Sequence, residues 1–305
     1  MSLRVNTKKS YNSLQNQFIK FCSSYNIDPL TPLTEHQLCM AAADYCRTHK
    51  STSLPTYISA LSNWAEQYNL GPLPRFNQFK QVKKGLLNYF GLSETTQPKV
   101  AITLNDLAVI CAHLDLNSFN DVRDWCCYIF GFFGLLRINE TIGDQLTFSN
   151  VVRFDWGIQL TISYSKTSLQ PVQVKLTQRQ SDLFCPLLAY DRYVSFIKPK
   201  LRLPDSPFFR SIPDRTTPLT LASYTTSLKH RIQYHLLKQS SDYGTHSMRR
   251  GGTTALFAAG VNETIIAYHG RWKSLTYRQY YAWSTTTQLQ PTEQLYLHSQ
   301  SSSHQ

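Results

Sequence analysis

His246 and Arg249 stand three residues apart, and downstream of them the chain runs through Gly270-Arg-Trp-Lys-Ser274 to Tyr277, Tyr280 and Tyr281. A phenol following fixed cations suits attack on a phosphodiester better than attack on a carbonyl. The anionic oxygens of a phosphodiester repel a nucleophile, and its transition state carries still more negative charge. A protein working there without a metal must supply cations, a nucleophile and an acid for the leaving oxygen. Arginine suits the clamp because its planar fork donates paired hydrogen bonds to phosphate and stays charged.

Two upstream residues extend the set. Arg137 follows an apolar helical run in Gly134-Leu-Leu-Arg-Ile-Asn-Glu140, and Lys166 lies in Ser165-Lys-Thr167 at a strand turn. Singly, each residue has a plainer use. An arginine ending a helix caps carbonyls, a lysine at a turn is solvated, His-x-x-Arg is common on helix surfaces, and Trp and Tyr fill cores. In this order, Arg137, Lys166, His246, Arg249, Trp272 and a tyrosine make a complete apparatus.

At this point the chain resembles the tyrosine recombinase (phage-integrase) family. The family's signature is Arg-x-x-Glu, a hairpin Lys, His-x-x-Arg, a His or Trp, and a Tyr. Arg137 with Glu140, Lys166, His246 with Arg249, Trp272 and Tyr280 or Tyr281 match it. The finer texture of His246-Ser-Met-Arg-Arg-Gly-Gly252, Gly270-Arg-Trp-Lys-Ser274 and Phe184-Cys-Pro186 resembles Crypton- and DIRS-like recombinases of eukaryotic mobile elements. The resemblance covers roughly residues 100–285 and, more weakly, the N-terminal helices.

The resemblance implies roles. Arg137 and Arg249 would hold the non-bridging oxygens of the scissile phosphate. Lys166 would protonate the departing 5′ oxygen, and His246 would assist proton transfer with the tyrosine or orient the phosphate. Glu140 would hold the first arginine or the histidine region in place. Trp272 stands where many relatives have histidine, and its indole N–H donates but cannot accept a proton, so it serves contact and packing. The Trp-Lys-Ser-x-x-Tyr-x-x-Tyr texture selects Tyr280 as nucleophile, whereas the commoner integrase spacing selects Tyr281. Tyr280 is preferred, and Tyr277 is read as core. Helix neighbours differ by about 100° in direction, so only one tyrosine can aim at a given phosphate, and Arg250 points away from Arg249 toward DNA backbone or a carboxylate.

Length and composition bound what must position these groups. The chain has 305 residues, 42% of them hydrophobic and 13% aromatic, enough for two globular domains. Its net charge of +12 favours a polyanionic partner, although charge alone does not separate nucleic acid from anionic membrane. No apolar run reaches membrane-spanning length, and the N-terminus lacks a signal-peptide core. The seven scattered cysteines, with no Cys-x-x-Cys pair, read as reduced core thiols of an intracellular protein. His230 and His235 lack metal-pair spacing, and Gly251-Gly252 lacks the phosphate-loop pattern, so neither metal nor nucleotide cofactor is implied. Those glycines suit close packing of helices or close approach of DNA.

Periodicity predicts a mainly α chain with a small antiparallel sheet. Tyr11, Leu14, Phe18 and Phe21 share a helix face; Thr34 with Gln37 forms a capping box, and Pro55 opens a third helix carrying Ile58, Leu61 and Trp64. A fourth, about Asn77–Tyr89, carries Lys80, Lys83 and Lys84, which suit either phosphate tracking or an ordinary wet face. The expected division is a helical core-binding domain over 1–95, a linker over 96–103, a catalytic domain over 104–285 and a polar tail over 286–305. Thr103 caps a helix, and an apolar helix spans about Asp121–Phe133. Two or three strands follow between Leu146 and Leu176 around an Asp155-Trp-Gly157 turn, and helices resume near Pro186–Ile197 and Leu221–Leu237.

The expected activity is cutting and rejoining of duplex DNA through a 3′-phosphotyrosyl link, without ATP or metal. Four protomers would pair two DNA sites, no membrane would be involved, and the eukaryotic resemblance implies residence in the nucleus. A recombinase-derived protein that only binds DNA, and a nicking–closing topoisomerase, are the alternatives.

Overall fold

A computed structural model describes residues 5–91, 99–143, 145–163, 170–179 and 183–280. The chain divides into two compact units, 1–97 and 98–305. It is mainly helical with one three-stranded antiparallel sheet.

The first unit holds α1 (Val5–Ser24), α2 (Glu35–Thr48), α3 (Leu54–Gln67) and α4 (Asn77–Gly91), with α1 packed on α3 and α2 on α4. Local signals place the ends. Thr34 and Gln37 form a capping box before α2, and Pro55 sits in the first turn of α3. Glu35 accepts the Phe79 N–H (2.9 Å), so one helix start caps another. Phe18, Phe21, Leu38, Tyr57, Leu61 and Phe79 meet in the core, and the Tyr45 and Tyr57 rings stack at 4.2 Å. Lys80 and Lys84 are exposed on α4, and Lys83 is half-buried.

The second unit is built round α6 (Phe119–Phe133), buried on nearly every side from Val122 to Phe132. A helix apolar all round belongs in a core. Before it, α5 (Leu104–Ala112) opens on a capping box of Thr103 and Asp106; after it comes the short α7 (Ile138–Thr141). The sheet follows as β1 (Val151–Phe154), β2 (Gly157–Ile162) and β3 (Val172–Thr177), in that order. Phe154 pairs with Gly157 across the Asp155-Trp156 turn, and Ile158, Leu160, Val174 and Leu176 face the core. Then come α8 (Pro186–Ser195), α9 (Leu221–Tyr234), α10 (Ser247–Ala258) and α11 (Glu263–His269).

Helix α10 packs directly on α6. Its glycines make that possible: a Cβ on Gly251 would lie 1.9 Å from the Ile102 carbonyl oxygen, and one on Gly252 would lie 2.1 Å from that of Phe132. Ile102 N–H also donates to the Ser247 carbonyl (3.1 Å), lacing the segment before α5 to the start of α10. The position of the His246–Arg249 turn is thus set by backbone contact.

Candidate active site

The sequence places Arg137 after an apolar helix, and the structure shows how it is turned into the site. Helix α6 ends at Gly134; Leu135 then adopts φ +45 while fully buried, and Leu136 N–H returns to the Gly131 carbonyl (3.2 Å). This left-handed turn is unusual for leucine. It leaves Arg137 at the N-terminus of α7, four residues past the last residue of α6. The Glu140 carboxylate accepts the Arg137 backbone N–H (2.9 Å) and its guanidinium (2.7 Å).

Glu140 also accepts from Arg271 (2.8 Å), a residue that motif spacing alone did not single out. Its partners are therefore the first arginine and Arg271, and among the described residues it bonds no histidine. Glu140 is buried, and burial alone would raise its pKa. The Arg271 charge foremost, then the Arg137 N–H and guanidinium, instead hold it below the usual glutamate range.

Arg249 projects from the first turn of α10 and is fully buried. Its guanidinium donates to the Leu135 carbonyl and to the Gly270 carbonyl (2.6 Å), and its Nε has no partner among the described residues. The same group lies 3.9 Å from the Trp272 ring centroid and 5.4 Å from that of Tyr280. Burial, then the Arg271 and Arg137 charges, push its pKa down to about 9. Among the described residues, the three guanidiniums of Arg137, Arg249 and Arg271 thus lie round the single carboxylate of Glu140. Such a surplus of buried positive charge calls for an anion.

His246 is the N-cap residue of α10, and its Nδ1 lies 3.4 Å from the Tyr280 hydroxyl. Tyr280 closes a 3₁₀ turn over Leu275–Tyr280, with its ring 5.2 Å from that of Trp272 and its carbonyl accepting from Thr254 (3.3 Å). Trp272 packs closely against Gly270: a Cβ there would meet the indole at 1.6 Å. Tyr277 is buried, but it also has a polar use, donating its hydroxyl to Glu263 (2.7 Å). Arg250 is half-buried, which lowers its pKa. Lys166, between β2 and β3, and Tyr281 lie outside the described residues.

His113 and His235 stack at 4.6 Å beside His230, away from these residues. Among the described residues, no group of three or more His, Cys, Asp or Glu is arranged to hold a metal.

No family model matches the chain, and no curated protein matches it. Solved structures do. The XerH site-specific recombinase in a post-cleavage complex with palindromic difH substrate aligns with TM-score 0.63 at 15% identity, over 89% of this chain and 75% of that one. The Tn1549 transposon integrase in complex with circular intermediate DNA aligns with TM-score 0.62 at 16% identity, over 95% and 94%. A lambda integrase dimer bound to a COC′ core site aligns with TM-score 0.60 at 13% identity, over 93% of each chain. The chain has the fold of the site-specific recombinases and integrases. At such identities the likeness is one of fold. Within this recombinase fold the described site residues come from the start of α7, the start of α10, and the segment after α11.

Motif and spacing single out neither Arg271 nor Glu263. Arg271 stood in view inside Gly-Arg-Trp-Lys, and its buried role has no local signal. Glu263 had a weak one, as an acidic residue in the first turn of a helix capped by Asn262.

Proposed function

We propose that this protein is a tyrosine-type DNA recombinase that cuts and rejoins duplex DNA through a 3′-phosphotyrosyl intermediate, with Tyr280 as nucleophile. The observation that carries the reading is the convergence of Tyr280 on His246 (3.4 Å), on the Trp272 ring and on the under-neutralised Arg249. The recombinase fold and the net charge of +12 support duplex DNA as partner.

In this mechanism the Tyr280 oxygen attacks phosphorus and its proton passes toward His246. The bond from phosphorus to the 5′ oxygen breaks, and Lys166 gives the departing oxygen a proton. Arg137 and Arg249 face the non-bridging oxygens, whose negative charge grows in the transition state. Buried cations already fixed in place stabilise that charge with little reorganisation. Attack by a 5′ hydroxyl from another strand then reverses the chemistry, so bond energy is conserved and no ATP is needed. Synapsis of two sites would take four protomers. The Gly-Arg-Trp-Lys-Ser texture supports kinship with eukaryotic mobile-element recombinases, and with it a nuclear site of action. Lys80, Lys83, Lys84 and Arg250 are proposed contacts to DNA backbone.

A nicked suicide duplex, which releases the 5′ product and traps the adduct, tests the assignment. Tyr280→Phe is expected to abolish the covalent adduct and leave DNA binding nearly unchanged, whereas Tyr281→Phe retains it. Peptide mapping of a trapped adduct to Tyr281 would move the nucleophile by one residue. Adduct in both variants would overturn the site. No adduct from the wild type would favour a protein that only binds DNA, and supercoil relaxation without exchange between two sites would favour a topoisomerase.

A further inference from the structure

Arg271 has no part in the chemistry above, yet its bonds tie the site together. Its guanidinium donates to the carbonyls of Gly134 (3.1 Å), Leu135 (2.8 Å) and His269 (2.9 Å), and to the Glu140 carboxylate (2.8 Å). It is buried, and its own backbone is left-handed at φ +61. Leu135, at φ +45, accepts one of its bonds. Two unfavourable backbone conformations, in segments 136 residues apart, are thus joined by a hydrogen bond. Conformations of this kind persist only where surrounding contacts over-determine them.

Two consequences bear on the phosphate clamp. The first is mechanical. Leu135 precedes Arg137 by two residues and its carbonyl also receives Arg249, so whatever holds that carbonyl aims both arginines. The second is electrostatic. Glu140 gives one oxygen to the Arg137 guanidinium and another to Arg271. Without Arg271 both oxygens could close a bidentate fork on Arg137 and neutralise it.

We propose that Arg271 is a positioning residue for the phosphate clamp, holding Glu140 and the Leu135 carbonyl so that Arg137 and Arg249 face one oxyanion as fixed, incompletely neutralised cations. The proposal rests on the recombinase reading for its substrate, while the clamp itself can be tested with inorganic sulfate.

The full chain is compared with Arg271→Gln and Arg271→Lys. Thermal unfolding without ligand reports the folded fraction, and sulfate titration of the unfolding temperature reports anion affinity. DNA binding and adduct formation at saturating suicide duplex complete the set. Arg271→Gln is expected to weaken sulfate binding about tenfold and slow adduct formation about 100-fold, with DNA affinity changed less than about threefold. Arg271→Lys keeps the charge but lacks the fork, so sulfate affinity returns to within about threefold while the rate does not. Glu140→Gln added to Arg271→Gln should cost less than about threefold beyond the slower single variant, because both act on one unit.

Multiplicative losses would overturn the proposal. So would a rate that falls only with the folded fraction or with DNA affinity, or a wild type indifferent to sulfate. If the wild type binds sulfate but forms no adduct, the strand-exchange reading fails, and the sulfate series still decides the role of Arg271.

Discussion

The Arg249 guanidinium lies 3.9 Å from the centroid of the Trp272 ring, which itself packs on Gly270. The indole is therefore a shelf: it supports the cation on one side and touches the Tyr280 ring at 5.2 Å. An aromatic face offers a buried guanidinium partial compensation without consuming N–H donors; in Arg249 both terminal nitrogens donate to the Leu135 and Gly270 carbonyls, while Nε–H has no partner among the described residues.

Replacing the shelf should separate support from proton transfer. Trp272→Ala is expected to cost about 2 kcal/mol in unfolding free energy and to slow adduct formation at least tenfold, while Trp272→Phe recovers much of both. Trp272→His introduces a group that titrates near 6.5 in ordinary surroundings. Its pH–rate profile should gain an ionisation absent from the wild type. An unchanged profile would place the histidine outside the reacting groups.

Arg249 yields a second prediction with a definite sign. Its folded pKa of about 9 lies below the ordinary arginine value of 12.5, so the buried charge opposes folding wherever both states are protonated. That cost applies in full below pH 9 and is relieved as pH rises through 9. Relative to Arg249→Gln, wild-type unfolding free energy should therefore climb by about 1 kcal/mol per pH unit between pH 9 and 10. Saturating sulfate should remove the slope by pairing the charge. Chemical denaturation of both proteins across pH 7–10 measures it.

The proximity of four candidate residues was legible because they lie close along the chain. His246, Arg249, Trp272 and Tyr280 come from one helix–turn–helix stretch, so their spacing nearly dictates their proximity. The capping boxes at Thr34 and Thr103 and the Asp155-Trp156 turn are local chemistry and were readable for the same reason. Arg271 was not. Its significance depends on a left-handed turn at Leu135, a residue whose type disfavours that turn, and on a carboxylate 131 residues away. Arg137 shows the same limit at close range: the sequence ends the apolar helix near Phe133 and places Arg137 after it, but the left-handed turn at Leu135 that aims it has no local signal.

The glycines of α10 predict a contrast in stability. Gly251→Ala or Gly252→Ala would drive a methyl group into a backbone carbonyl oxygen, at 1.9 and 2.1 Å, and neither carbonyl can rotate away as a side chain would. A loss of about 3 kcal/mol or more is expected for each. Gly85 is exposed in α4, and a methyl group added there would meet nothing within 4 Å, so Gly85→Ala should stabilise by about 0.5–1 kcal/mol. Urea unfolding of the three variants checks both directions.

The segment carrying Tyr280 is held from below by Glu263. Its carboxylate accepts the Tyr277 hydroxyl (2.7 Å) and the Arg278 guanidinium (3.1 Å). The Tyr277 hydrogen bond is the main cause that holds Glu263 under the usual glutamate range, so the latch is intact above about pH 4.5 and is lost as pH falls through the lowered value. Glu263 is partly exposed, and little folding energy is at stake. The effect should appear instead in the aim of the nucleophile. Glu263→Gln and Tyr277→Phe are each expected to slow adduct formation about tenfold at neutral pH with an unfolding temperature near that of the wild type, and the pair together should cost little more than either alone. Rates equal to wild type in both variants would show that the Thr254 bond to the Tyr280 carbonyl suffices to hold the segment.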